Sequence, residues 1–115
     1  MSSSSSPTAP LIHMVNFTMK PSFDIAEALK LLEVMKQTIP GLLTIQFGTR
    51  RSDLFEGHET LHHGVTHALV STHKDIESLK IYAEHPDHVA LVELLVPQFS
   101  AEPTVVDFFS EMSSQ

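Results

Sequence analysis

The stretch LIHMVNFTMK, residues 11–20, alternates its side chains with the period of two that a β-strand requires. One face carries His13, Val15, Phe17 and Met19, and the residues between them point to the opposite face. Pro21 follows at once and marks the end of the strand. The pattern predicts a first strand whose largely apolar inner face carries one imidazole.

The segments that follow continue the alternation of helix and strand. A helix is predicted from a cap at Ser22 to about Gln37, and residues 43–48 (LTIQFG) predict a second strand. After a long polar loop, residues 64–72 (GVTHALVST) predict a third strand, in which His67 and Leu69 share a face. Residues 73–85 and 86–99 predict two short helices, and residues 103–110 a last strand. The order β-α-β-β-α-α-β predicts an α+β, ferredoxin-like unit with helices on one face of an antiparallel sheet.

Length and composition predict a single domain. The chain has 115 residues, which suffices for one hydrophobic core but not for two. We expect residues 1–10 to form a disordered Ser/Pro-rich tail, residues 11–110 to form the domain, and residues 111–115 to form a C-terminal tail. The start resembles no secretory signal, and the longest apolar stretch, residues 89–97, is too short for a membrane span. With no cysteine in the chain, we expect a soluble, cytoplasmic protein.

The charge balance argues against a nucleic-acid partner, and the last strand predicts a protein partner. Seven basic residues stand against 14 acidic ones, and the basic residues form no stripe, so the chain is not expected to bind nucleic acid. The last strand carries apolar groups on both faces, with Val106 and Phe108 on one and Val105 and Phe109 on the other. A sheet face without a cover predicts a partner, most simply a second copy in a two-fold dimer.

Residues 81–90, IYAEHPDHVA, combine a tyrosine with two histidines around a proline. Pro86 suits the first position of a helix, which makes His85 the N-cap and places His88 in the first turn. The positive helix end disfavours an imidazolium there, so the pKa of His88 is expected to fall and the ring to accept a proton at neutral pH. Tyr82 lies at the end of the preceding helix, where its phenol is able to donate a hydrogen bond to a carbonyl oxygen. Together the two groups predict acid/base chemistry of the kind that forms an enolate.

A structural role explains the same residues equally simply. Tyr82 would pack in the core, and His85 and His88 would only cap a helix. His13 and His67 would then be satisfied core histidines, although the inward faces that they share with Val15, Phe17 and Leu69 are also compatible with a common pocket.

Eight histidines also raise the question of a metal site. Such a site needs three or four converging ligands, and neither cysteines nor an HExxH pattern supply them, so none is predicted. The remaining histidines are interpreted as solvated loop residues: His58, His62, His63 and His73.

Four segments together resemble the stress-responsive A/B barrel (Dabb) family. They are HMVNFTMKP at residues 13–21, IPGLLTIQFG at 39–48, HHGVTHALV at 62–70, and YAEHPDHVALVELLVP with VVDF within 82–108. The resemblance covers about residues 11–110. It implies a dimeric α+β barrel, in which two ferredoxin-like units pack sheet to sheet, and chemistry that needs neither a metal nor an organic cofactor.

Functions within this family differ, and the resemblance implies two alternatives. Some members are stress-induced stable oligomers, and one is a plant polyketide cyclase that forms olivetolic acid by intramolecular aldol closure. Similarity to that cyclase implies catalytic roles for His88 and Tyr82, and a pocket for a small apolar or poly-carbonyl ligand. The predicted pocket residues are His13, His67, Val15, Phe17, Leu32 and Leu69. The implied function is a cofactor-independent cyclase, lyase or isomerase of secondary metabolism, and the alternative is a non-catalytic, stress-responsive dimer with a ligand-binding cavity.

Overall fold

The structure is a computed structural model that describes residues 9–112. Most of the two predicted tails, residues 1–10 and 111–115, lies outside the described residues, since residues 1–8 and 113–115 are not described. Two short 3₁₀ helices, His58–Thr60 and Val96–Gln98, accompany the main elements. The main elements in chain order are β1 (Leu11–Met19), α1 (Ile25–Thr38), β2 (Leu42–Thr49), β3 (His67–His73), α2 (Ile76–Glu84), α3 (Pro86–Leu95) and β4 (Phe99–Phe109).

The strands of this described region form one sheet in the order β2-β3-β1-β4, with every neighbouring pair antiparallel. Val15 lies between Leu69 of β3 and Val105 of β4, and Phe17 lies opposite His67. The predicted ferredoxin-like α+β fold is therefore confirmed. None of the helices within residues 9–112 combines the length and apolarity that crossing a bilayer demands.

The core lies between the inner sheet face and the three helices. Val15, Phe17 and Leu69 contribute the sheet side, and Met35 and Leu95 close it from α1 and α3. The alternation of β1 predicted this inner face, since its odd-numbered side chains are those that the helices cover.

Two predicted boundaries were wrong. Helix α1 is capped by Asp24, whose carboxylate accepts from the Ala26 N–H at 3.0 Å, and not by Ser22. The backbone first turns between Lys20 and Phe23, which delays the helix. Strand β4 begins at Phe99, four residues before Pro103, because an edge strand tolerates a proline that a central strand excludes.

Gly41 is required between α1 and β2. Its φ of +81° lies in the left-handed region, and a Cβ at this position would lie 2.2 Å from Ser78 Oγ. Only glycine therefore allows this turn to pack against α2.

Apolar side chains lie together on part of the outer sheet face, which none of the helices within residues 9–112 covers. Met14 lies between Val70 and Val106, and in the next row Ile12 lies beside Phe108. Val106 is 55% exposed and Phe108 is 41% exposed. The described chain thus leaves a contiguous apolar surface on the side opposite its helices.

Candidate functional site

A cavity of about 280 Å³ lies between α3 and the β1–β4 half of the sheet. Three of its lining residues carry polar groups suited to proton transfer: His13, Tyr82 and His88. The rest of the wall is mainly apolar and includes Val15, Phe17, Leu69, Leu91, Leu95 and Val105. Six of the eight residues predicted for the site from the sequence thus border one cavity.

The start of α3 places His88 at the cavity. His85 is the N-cap, and its Nδ1 accepts from the Asp87 N–H at 3.1 Å, while Pro86 begins the helix. The Asp87 carboxylate accepts a hydrogen bond from Thr38 Oγ1 at 2.6 Å, which ties this first turn to the end of α1. The predicted capping arrangement is confirmed.

Hydrogen bonding defines which nitrogen of His88 is free. The Nδ1–H donates to the carbonyl oxygen of Ala83 at 3.1 Å, and a carbonyl only accepts. In the neutral ring Nε2 therefore keeps its lone pair. Burial lowers the pKa of His88, the charge of His13 lowers it further, and the bond to Ala83 opposes both. The direction is as predicted, although burial rather than the helix end is the main cause.

Tyr82 supplies a protonated phenol beside His88. Its side chain is 2% exposed, and the ring centroids of Tyr82 and His88 are 4.4 Å apart. Burial raises the pKa of Tyr82 to about 12, an effect that hydrogen bonding by Ser71 partly offsets. At neutral pH the phenol is therefore a hydrogen-bond donor.

Asp107 is a site residue that the sequence analysis missed. It lies directly opposite His13 across the β1–β4 ladder, and its carboxylate accepts from His13 Nδ1 at 2.5 Å. The side chain of His13 is 14% exposed and that of Asp107 is 43% exposed, so the pair lies at the edge of the cavity. The alternation of β4 places Asp107 on the inner face with Val105, but finding its partner needed the strand register.

His73 was predicted to be a solvated loop residue, and this was wrong. It is the last residue of β3 and is 0% exposed. Its side chain lies on the same inner face of the sheet as those of Leu69 and Ser71. Its Nε2 lies 2.8 Å from Ser71 Oγ, and its ring centroid lies 4.6 Å from that of Tyr82. Burial lowers the pKa of His73 to about 4, helped by the charge of His13 and opposed by Asp107, so the ring is neutral at pH 7.

The other two predicted pocket residues, His67 and Leu32, do not border this cavity. His67 stacks on Phe47 with ring centroids 5.8 Å apart and meets Phe23 edge-on at 5.0 Å. Leu32 is buried in α1, beside Ile45 of β2. Both residues face the core side, but α1 covers the β2 half of the sheet and α3 covers the half that holds the cavity.

The polar groups that converge here are imidazoles, one phenol and one carboxylate. Within residues 9–112, no three or more His, Asp or Glu side chains are grouped so that they could hold a metal ion. The arrangement suits the movement of a proton between a bound molecule and an imidazole, beside a phenol donor.

Comparison with known proteins places the chain in a family. Residues 11–110 match the family model described as Stress responsive A/B Barrel Domain (Dabb). No curated protein matches the chain.

Solved structures share the fold over nearly the whole chain. A hydroxynitrile lyase from Passiflora edulis has a TM-score of 0.75 at 18% identity, covering 95% of this chain and 100% of that one. A protein from Arabidopsis thaliana has a TM-score of 0.75 at 24% identity, covering 92% of this chain and 100% of that one. A dimeric ferredoxin-like protein of unknown function from Thermobifida fusca has a TM-score of 0.71 at 20% identity, covering 89% and 92%. These likenesses show the shared fold, and the family model shows that the chain belongs to the stress-responsive A/B barrel (Dabb) family.

Proposed function

We propose that the protein is an acid/base enzyme that needs no cofactor and acts on a small carbonyl metabolite. The reaction is an aldol-type cyclisation, or a related lyase or isomerase step, of secondary metabolism. One observation carries the proposal: His88, Tyr82 and His13 border the same apolar cavity of about 280 Å³. Ligand cavities of proteins are commonly about 300–1,000 Å³, and this one, at about 280 Å³, lies just below that range and suits a small molecule.

The tautomer of His88 makes it the base. Its lone-pair nitrogen, Nε2, takes a proton from the carbon next to a substrate carbonyl, while the phenol of Tyr82 donates a hydrogen bond to the carbonyl oxygen. The resulting enolate carbon attacks a second carbonyl of the same molecule. The imidazolium of His88 then returns its proton to the alkoxide, so that no net proton is gained or lost.

Positioning of the substrate by the apolar wall contributes more than the acid and base. General acid/base catalysis accelerates reactions by roughly 10² to 10⁴, which corresponds to about 3 to 5 kcal/mol. Holding two reacting carbons together supplies about 7–11 kcal/mol. A confined, mainly apolar cavity beside the base is suited to fold a flexible substrate in this way.

One structural neighbour and the sequence resemblance described above support a proton-transfer reaction. The Passiflora edulis neighbour is described as a hydroxynitrile lyase, and by simple chemistry the splitting of a hydroxynitrile into a carbonyl compound and cyanide removes the hydroxyl proton. The resemblance to the olivetolic acid-forming cyclase involves His13, His67, Tyr82 and His88, and three of these, His13, Tyr82 and His88, border one cavity. His67 completes that resemblance in sequence but lies outside the cavity, which favours a different substrate.

Proton abstraction is testable before the substrate is known. Small β-keto esters, linear poly-carbonyl compounds and aromatic hydroxynitriles are incubated with the protein in D₂O, and α-proton exchange, cyclisation and cleavage are followed by NMR. We expect exchange or turnover above buffer for at least one class, and its loss in His88→Ala. His58→Ala, at an exposed position of the 3₁₀ helix His58–Thr60, is the matched control. Equal activity of His88→Ala and the unchanged protein would overturn the role of His88.

A non-catalytic, stress-responsive protein with a ligand-binding cavity is the second candidate. The observation that favours it is the 2% exposure of Tyr82, whose ring packs between His73 and His88 like a core side chain. In that case small apolar ligands bind without turnover, and His88→Ala leaves their affinity unchanged. Calorimetry with the same compounds distinguishes the two candidates.

We also propose that two copies associate through the outer sheet face. The apolar rows around Met14 and Ile12 support this, because monomeric proteins rarely expose contiguous apolar surface of this kind. The Thermobifida fusca neighbour is described as dimeric, which adds support. Light scattering should give a dimer for the unchanged chain and a monomer for Val106→Lys with Phe108→Glu. Leu54→Lys, at an exposed loop leucine, should remain dimeric; a monomeric unchanged chain would refute the proposed interface.

A further inference from the structure

The cavity beside His88 has chemically different ends. At one end the rings of Tyr82 and His88 lie 4.4 Å apart, and the ring of His13 lies 5.8 Å from that of Tyr82. At the other end the ring of Phe99 packs against that of Phe17, with centroids 6.0 Å apart. All five side chains border the cavity. A bound molecule therefore meets polar groups at one end and two phenyl rings at the other.

Strand β1 and helix α3 set the distance between these ends. His13 and Phe17 lie on one face of β1, four residues apart, which corresponds to about 13 Å along a strand. His88 and Leu95 lie seven residues apart in α3, which corresponds to about 10 Å along a helix. Phe99 follows α3 after one short 3₁₀ helix, so both elements run from the polar end to the phenyl end. The cavity is therefore much longer than a carbonyl group.

Two irregularities in β4 shape the phenyl end. Thr18 pairs with Ala101 and its neighbour Met19 pairs with Phe99, so one step along β1 corresponds to two steps along β4. A second register shift lies within residues 101–104. Such bulges turn the side chains of a strand out of their regular alternation. Ala101 consequently lies on the outer face with Thr18, whereas Phe99 lies on the inner face with Met19.

Phe99 and Pro103 are the two residues by which β4 closes this end. They are the only two of the 11 residues of β4 that are half-buried rather than exposed, and both border the cavity. The ring of Pro103 fixes its own backbone angle φ, which limits how far this part of the wall can adapt. The phenyl end is thus closed by two bulky side chains of an edge strand.

The cavity is suited to an uncharged ligand. No lysine, arginine, aspartate or glutamate of the described chain borders it, and His13 already pairs with Asp107. The rim is apolar as well, since it includes the exposed side chains of Val92, Val96 and Val105. Burying a carboxylate without a cationic partner is costly. A neutral carbonyl compound therefore fits better than a keto acid.

We propose that the cavity binds an uncharged carbonyl compound with an apolar tail, and that Phe99 and Pro103 limit the length of this tail. The carbonyl group lies at Tyr82 and the end of the tail lies at Phe99. The inference deepens the proposed function and rests on it for the position of the carbonyl group. The place of the tail rests on the cavity walls alone.

The length limit is measurable by calorimetry with straight-chain methyl ketones. Affinity should rise by roughly fourfold for each added CH₂ while the tail still enters the cavity, and should stop rising at one length. The carboxylic acid of that length should bind at least about tenfold more weakly. An affinity that does not depend on chain length, or an acid that binds as tightly as the ketone, would overturn the inference.

Variants of the wall test which residues set the limit. Phe99→Ala should move it to a longer tail, because removal of the ring lengthens the cavity. Phe47→Ala is the matched control, since Phe47 also packs on Phe17, at 5.9 Å, but does not border the cavity. Phe99→Leu and Pro103→Ala should move the limit in the same direction, and they keep the test valid if Phe99→Ala does not fold. An unchanged limit in a folded Phe99 variant or in Pro103→Ala would refute the role of that residue.

The orientation of the ligand is measurable by NMR without any turnover. Tyr82 is the one tyrosine of the chain, so its ring signals are identified directly. Nuclear Overhauser effects should connect the acetyl methyl group of the bound ketone with Tyr82, and its terminal methyl group with the ring that Phe99→Leu removes. The reverse pairing would overturn the proposal.

Failure of this inference is separable from failure of the proposed function. If the length limit and the orientation hold but no carbonyl compound reacts, the tail site is supported and the enzymatic function is refuted. If a carbonyl compound reacts but the limit is the same in the Phe99 and Phe47 variants, the enzymatic function is supported and the tail site is refuted.

Discussion

Asp107 and His13 face each other across the β1–β4 ladder, with the carboxylate oxygen 2.5 Å from His13 Nδ1. Because a carboxylate oxygen accepts, His13 donates from Nδ1, and in the neutral form of the ring a lone pair remains on Nε2. The Ala83 carbonyl holds His88 in the same tautomer. Two imidazoles at one cavity therefore both carry a proton on Nδ1. His13 donates it to a carboxylate, and His88 donates it to a backbone carbonyl.

Asp107→Asn should lower turnover of the proposed reaction by at least roughly tenfold. The asparagine side chain has both a donor and an acceptor, so it no longer imposes one tautomer on His13. In catalytic triads the corresponding exchange costs up to about 10⁴. The measurement is kcat with Asp53→Asn as control, since Asp53 pairs with Arg51 on the surface. Full activity of Asp107→Asn would assign the pair a purely structural role.

The pH dependence of catalysis follows from His88. A base acts when neutral, and burial holds the pKa of His88 below 6.5. The value of kcat/KM should therefore rise with pH through a midpoint below 6.5 and then remain level, because Tyr82 ionises only near pH 12. A pH profile of the unchanged protein checks this, and Tyr82→Phe should keep the acidic limb. A midpoint above 6.5 would contradict the assignment of His88 as the base.

Stability should fall in acid because His73 is buried in its neutral form. Its pKa is about 4 in the folded protein and 6.5 in the unfolded chain, so the unfolded state binds more protons between these values. The free energy of unfolding should thus decrease as pH falls from 6.5 to 4, by about 3 kcal/mol in all from this group. Urea unfolding at pH 7 and pH 4.5 measures the change.

The substitution His73→Phe tests how much of the loss in the free energy of unfolding at low pH comes from His73. The variant should lose less stability between pH 7 and pH 4.5 than the unchanged protein, whereas His58→Gln should lose as much. His67 and His88, whose pKa values are also lowered, contribute with the same sign and remain in both variants. An equal loss in His73→Phe and the unchanged protein would show that His73 is not the sensitive group.

Gly41→Ala should destabilise the fold more than Gly64→Ala. Both glycines have positive φ, +81° and +86°, which costs an alanine about 1–2 kcal/mol. At Gly41 the new Cβ would also lie 2.5 Å from the Cβ of Ser78, while at Gly64 it meets nothing within 4 Å. Thermal unfolding of the two variants should therefore give a lower Tm for Gly41→Ala. Equal Tm values would mean that the contact with α2 relaxes without cost.

Local patterns predicted much of the fold. The alternation in β1 identified the inner face with His13 and Phe17, and the proline at residue 86 identified the start of α3 and its cap. Such features depend on a few neighbouring residues, which is why they are visible in a sequence. The boundary at Ser22 was wrong because a turn between Lys20 and Phe23 takes precedence over a good capping residue.

The sequence by itself determined the order of the elements, the faces of the strands and the position of His88 in a first helical turn. Only the tertiary structure decided that Asp107 meets His13, that His73 lies behind Tyr82, and that His67 lies apart from the cavity. The physical reason is that alternation assigns a side chain to a face of the sheet, but not to a place on that face. The place depends on strand register and on which helix covers which strands, and both result from contacts between residues far apart in the chain.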